Sequence, residues 1–206
     1  MSVPAMPPCH TFKSCEASHA RCTVIFVKEM PTLVGSFGNL VAQFAREDSN
    51  SYADVSVQYY DANLKALESN RWDTLTGLAL IYREKIAARI GFYPYDDYVF
   101  VHQIQGGRDE EARTVLNKLR WERLLVTSLM MVARGQYKRI LIADAAYNKW
   151  LPPEPPLPTM MDDLRESKFA LRMRAGHARL RIRYDQTAQK LGFIHVPEQG
   201  VWVKDL

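Results

Sequence analysis

Residues 75–104 hold three apolar stretches joined by links too short for a crossover, which leaves little choice of local topology. Leu75-Thr76-Gly77-Leu78-Ala79-Leu80-Ile81-Tyr82 is followed by Arg83-Glu84-Lys85 and then by Ile86 to Phe92, where Ile86, Ala88, Ile90 and Phe92 alternate. A period of two is that of strands, and the short charged link makes these two neighbours in an antiparallel hairpin. Tyr93-Pro94-Tyr95-Asp96-Asp97 reads as a turn into a third strand, Tyr98 to Ile104. The expected unit is a three-stranded meander.

Helical periodicity flanks it. From Pro31, the residues Val34, Phe37, Leu40, Val41 and Phe44 recur at three- and four-residue spacing, with proline at the start where its missing N–H costs little. Val57, Tyr60, Leu64 and Leu67 repeat the spacing and predict a second helix before Asn70. After Gln105-Gly106-Gly107 comes a charged stretch, then a helical stripe of Trp121, Leu124, Leu125, Ser128, Leu129, Val132 and Ala133 that closes at Gly135. Ile140-Leu141-Ile142-Ala143 is a continuous apolar run, as expected of a strand covered on both faces. Leu180, Tyr184, Thr187, Ala188 and Leu191 predict a helix ending at Gly192, with closing strands at Phe193–Val196 and Val201–Val203. The proline-rich Leu151 to Pro158 between them reads as a stiff surface loop.

A chain of 206 residues that is 47% hydrophobic and 24% charged can bury a core, so disordered and collagen-like classes are excluded. Lys and Arg number 27 against 23 Asp and Glu, a net charge of +4 that suits anionic ligands without requiring nucleic acid. No apolar run is long enough to span a membrane and no signal peptide is evident, so a cytoplasmic location is expected. Residues 1–22 are expected to form a flexible tail and 23–206 a single domain that opens on a strand at Thr23 to Val27. Cys9, Cys15 and Cys22 lie in that tail with His10 and His19, but without a Cys-x-x-Cys knuckle no metal site is expected there.

In this order of elements, residues 72–206 resemble the GCN5-related N-acetyltransferase superfamily. The marks of the resemblance are Gln103-Ile104-Gln105-Gly106-Gly107-Arg108, the helix from Trp121, and Tyr184-Asp185-Gln186-Thr187-Ala188-Gln189-Lys190-Leu191-Gly192-Phe193, whose Leu-Gly-Phe turn leads into the penultimate strand. The resemblance implies an α/β fold with a mixed central sheet and flanking helices, acyl-CoA N-acyltransferase-like. It implies acetyl-CoA or another acyl-CoA as cosubstrate, an amine as acceptor, and direct attack of the amine on the thioester. The pyrophosphate would be held by main-chain amides of the loop Gln103 to Arg108, where glycines permit close approach and the next helix start supplies partial positive charge.

This chain departs from the family pattern in that loop. Arg108 stands where a small residue is usual, and Asp109, Glu110 and Glu111 follow it, suiting a helix N-terminus but repelling a pyrophosphate. Either the functional helix start lies nearer Leu119 or CoA binding has been lost. The family's usual acid position, four residues before the glycine of Leu-Gly-Phe, holds Ala188, and Tyr184 stands one turn earlier on the same face. Asn148 resembles the polar residue that contacts the pantetheine arm. Candidates for the base are His102, Asp144 and Glu84, each expected near a sheet end; His102 suits proton transfer near neutral pH.

Two other readings stay open. Arg165, Lys168, Arg172, Arg174, Arg179, Arg181 and Arg183 form a basic cluster that could bind nucleic acid, although no nucleic-acid module frames it. A catalytically inactive scaffold of the same fold would explain both Arg108 and Ala188. A homodimer through a sheet edge or an apolar helix face is compatible with all three.

Overall fold

The period-two segments form strands β2 (Thr76–Tyr82), β3 (Lys85–Pro94) and β4 (Tyr98–Gly106), paired antiparallel in sequence order. The structure is a computed structural model that describes residues 12–46, 52–60, 74, 76–147 and 168–206, with side chains described over 28–46, 52–60, 74, 76–146 and 175–206. Arg83 and Glu84 alone link β2 to β3, with φ of 46° and 65°. Two consecutive left-handed residues make a mirror-image turn whose twist matches the hairpin.

Strand β1 (Val55–Tyr60) adds to β2 at one edge, and β5 (Arg139–Ala143), β7 (Val201–Asp205) and β6 (Ile194–Val196) complete the other side. The seven-stranded order is β1-β2-β3-β4-β5-β7-β6. Among the described strands, β4 and β5 form the one parallel pair. A parallel step needs a crossover, and helices α2 (Glu110–Asn117) and α3 (Trp121–Ala133) supply it. The whole predicted stripe of α3 is buried, and Gly135 follows at φ 82°. Helix α1 (Phe12–Phe44) packs on β1, β3 and α3.

Several expectations are corrected. Thr23 to Val27 is not a strand: it lies within α1, which also takes in Cys15, His19 and Cys22, while Cys9 and His10 lie outside the described residues. Pro31 is inside that helix and not at its start. A proline forfeits one hydrogen bond, but burial of the turns that follow keeps the helix in place. Its core face is Leu33, Phe37, Leu40, Val41 and Phe44, with Val34 turned to solvent at 56% exposure. The second helix expected from Val57 is instead β1, where Val55, Val57 and Tyr59 are buried and Ser56 and Gln58 exposed. Its β-branched and aromatic residues fit a pleated surface, and the spacing of Val57 and Tyr60 carried no helical information. Leu64 and Leu67 lie outside the described residues, as does the proline run from Leu151.

The last helix is longer than its stripe. Helix α4 (Lys168–Arg181) passes into a π-helical turn, Ile182–Gln186, and then into α5 (Thr187–Lys190) before Gly192 at φ 75°. Tyr184, Thr187 and Ala188 are buried, as the periodicity predicts. The widened π turn carries Tyr184 and Asp185, and π turns inside α-helices recur at functional sites.

Candidate active site

The parallel pairing of β4 with β5 runs from Tyr98↔Arg139 to Val101↔Ile142 and stops. Strand β4 continues to Gly106 on the arm of β3, through Ile90↔Ile104 and Ala88↔Gly106, while β5 is held by β7 through Ala143↔Val201. The sheet therefore forks. Because successive residues turn their backbone groups to opposite edges, His102 and Ile104 present theirs toward the fork.

Tyr184 meets them there. Its hydroxyl accepts from the Ile104 N–H at 2.9 Å and donates to the His102 carbonyl at 3.1 Å, and the residue is 2% exposed. Its neighbour Asp185 reaches the opposite arm, where Oδ1 accepts from the Ala145 N–H and from Trp202 Nε1, each at 3.1 Å. Consecutive residues of one π turn thus bond to both arms of the fork.

At the β5 arm, Asp144 follows the last strand residue. Its N–H donates to the Gly200 carbonyl at 2.9 Å, and its Oδ1 accepts from the Ala146 N–H at 2.8 Å. Its Oδ2 lies 2.6 Å from Nε2 of His195, and the imidazole stacks on Trp202 with ring centroids 4.4 Å apart. Two further residues belong to α4 and its π turn. His177 is buried, and neither of its ring nitrogens has a hydrogen-bond partner among the described residues. Arg183 stacks over the ring of Trp121 at 5.7 Å and approaches Gly106.

The loop expected to cradle a pyrophosphate spends its groups on the protein. Gln103 is buried and its Nε2 donates to Gln105 Oε1 at 2.9 Å, an oxygen that also accepts from Arg89 Nη2. The Gly107 N–H donates to the Ala87 carbonyl, and a side chain at Gly107 would meet the carbonyl of Ile86 at 2.5 Å. This glycine is needed for the close approach of β3. Arg108 is exposed on the bend that follows. Asp109 caps α2 by accepting from the Ala112 N–H at 3.0 Å, and Lys85 lies 2.7 Å from its other oxygen, which holds the Asp109 carboxyl below the usual carboxylate range. The start of α2 is filled by carboxylates.

The next helix start holds one carboxylate, Glu122, in its first turn. Arg120 at the N-cap of α3 makes no side-chain cap. Burial pushes the Glu122 carboxyl up, opposed first by the hydrogen bond it accepts from its own backbone N–H and then by the nearby Arg183, Arg46 and Arg123. Burial lowers Arg183, which also feels Arg179 and Arg113. Arg46 just beyond α1, Arg123 of α3 and Arg183 of the π turn thus converge on one half-buried carboxyl. Of the basic cluster expected in the sequence, Arg179 and Arg183 join this group; the side chains of Arg165, Lys168, Arg172 and Arg174 lie outside the described residues.

The remaining candidates divide. His102 packs its ring between Tyr93 and Phe100, with centroids 5.8 and 6.0 Å away, and reaches the fork through its carbonyl. Glu84 is exposed in the β2–β3 turn, across β3 from the fork. Asn148 lies outside the described residues. His195 was not singled out by the sequence, because a histidine on a three-residue strand carries no spacing signal and its partner is 51 residues away.

Strand order, a single parallel step and a fork at that step define the architecture. The fold is α/β, a mixed seven-stranded sheet with flanking helices. No family model matches the chain, and no curated protein matches it. Among solved structures it is similar to a GNAT family acetyltransferase from Elizabethkingia anophelis with acetyl-CoA bound, at 12% identity and a TM-score of 0.30 over 43% of this chain. The chain spans 64% of that protein's length. It is also similar to Ard1 from Thermoplasma volcanium, at 7% identity and a TM-score of 0.36 over 74% of this chain and 98% of that one.

Proposed function

We propose that this protein is an acyl-CoA-dependent N-acyltransferase that passes an acetyl or other acyl group to an amine by direct attack on the thioester. The observation that carries this reading is the fork, where β4 runs on past its last pair with β5 and turns His102 C=O and Ile104 N–H to the gap. A pantetheine arm is an extended chain with amide donors and acceptors, which is what a strand edge binds. In this form the Tyr184 hydroxyl holds those groups, so the arm exchanges its own hydrogen bonds for those of the phenol and leaves the hydroxyl beside the thioester as a proton donor to the departing thiolate.

The anionic half of the cosubstrate fits the arginine side of Gly106 better than the start of α2. Arg183 offers a cation there, whereas Asp109 already satisfies α2. Gln103 to Arg108 then shape the loop and contribute its backbone, and Asn148 is retained as a pantetheine contact from the resemblance alone.

Calorimetric titration with acetyl-CoA and with CoA at matched salt tests the reading. Saturable micromolar binding, about −8 kcal/mol, is expected. Arg183→Gln should weaken it about tenfold, the worth of roughly one charge-assisted contact to phosphate. Absence of binding by both ligands would overturn the function.

A further inference from the structure

We propose that His195, held through Nε2 by Asp144, is the base that takes the proton of the attacking amine at Nδ1. This inference rests on the acyl-transfer reading above and adds to it the residue that receives the proton. It starts from position: Asp144 is the first residue beyond β5, on the arm of the fork opposite Tyr184. A continuous set of contacts joins the two arms, from Ile104 through Tyr184 to its neighbour Asp185, then to Trp202 and the ring of His195 stacked upon it.

The local chemistry suits proton acceptance. Asp144 is anchored through its N–H and through Oδ1, so Oδ2 is a fixed acceptor, and its side chain is 10% exposed. A carboxylate at Nε2 holds the proton on that nitrogen and leaves the lone pair on Nδ1. The Trp202 indole fixes the plane of the ring, and the indole is itself held by Asp185. At 36% side-chain exposure the imidazole remains open to an incoming amine, which the buried carboxylate is not. His102, the other histidine near the fork, has its ring against two aromatic side chains.

An ammonium gives one proton to Nδ1 and becomes a neutral amine, whose lone pair forms the C–N bond with the thioester carbonyl carbon. The C–S bond then breaks with its electron pair on sulfur, Tyr184 gives its phenolic proton to that thiolate to form CoA, and the second amine proton restores the phenol. The imidazolium returns its proton to solvent. Asp144 acts through His195 and is a positioning residue.

Two measurements decide the matter. Nitrogen-15 NMR of the wild-type chain should show His195 as the Nε2–H tautomer, and Asp144→Ala should abolish that preference; a wild-type Nδ1–H tautomer overturns the proposal. Thiol release from acetyl-CoA is then followed with a panel of primary alkylamines and peptides bearing a free α-amine. His195→Gln should lower kcat about 100-fold or more, with the acetyl-CoA affinity unchanged. Asp144→Asn should lower kcat by less, with KM unmoved. A His195→Gln protein that binds acetyl-CoA and keeps kcat within about threefold of wild type, well inside the range assigned to a general base, overturns this inference and leaves the acyl-transfer reading standing. Wild-type protein that binds no acetyl-CoA overturns both.

Discussion

Tyr184 places one phenolic oxygen on two backbone groups of β4, and the energetics of that placement are measurable. Phenylalanine keeps the ring and removes both hydrogen bonds, leaving the Ile104 N–H and the His102 carbonyl without the partner they have now. Unsatisfied buried groups cost about 1–3 kcal/mol, so Tyr184→Phe should lower the unfolding free energy by that amount in urea titration. If the pantetheine arm takes over the same two groups, saturating acetyl-CoA should narrow the deficit. Glu122 offers a second test at this scale. Its carboxyl is raised by burial, so the folded chain holds this proton to higher pH than the unfolded chain does. Stability therefore falls as pH rises from the ordinary carboxylate range through the raised value. Glu122→Gln should raise Tm at neutral pH and converge with wild type in acid, as read by thermal melts across pH.

Among the elements, the loop after β4 separates two glycines that look equivalent in the sequence. A side chain at Gly106 would meet Trp121 at 3.6 Å and Arg183 at 3.7 Å, ordinary contacts, while at Gly107 it would meet the backbone carbonyls of Ile86 and Ala87 at 2.5 and 2.8 Å. Gly107→Ala should cost about 1–3 kcal/mol by overpacking, and Gly106→Ala should be close to neutral by the same urea assay. The glycine signal was legible, but the cause the structure shows at Gly107 is strand packing. The meander, the α3 stripe and β5 were legible too, since alternation, helical periodicity and a continuous apolar run each report a local geometry. β1 was not, because a short segment can match two periodicities and its pairing with β2 decides between them. The π turn left no mark in the sequence, for its extra residue is accommodated by tertiary packing around Tyr184 and Asp185.

At the scale of the molecule, the candidate site is an assembly of distant segments. Asp144 from the end of β5, Asp185 from the π turn, His195 from β6 and Trp202 from β7 meet at one arm of the fork. Arg46, Arg123 and Arg183 meet around Glu122 beside the other. From β2 onward the order of strands and helices was readable because each element carries its own periodicity, and that order carried the resemblance to the acyltransferases. Tyr184 and Asp144 could be singled out because they stand beside a helix stop and a strand end. What each does there was decided by the tertiary structure. A hydrogen bond across 80 residues, as between Tyr184 and Ile104, depends on register, twist and the path of a widened helix, and none of these is a property of the residues within one window. For the same reason the sequence alone determined where strands β2 to β7 lie, while the pairing of Asp144 with His195 exists only once β5, β7 and β6 are side by side.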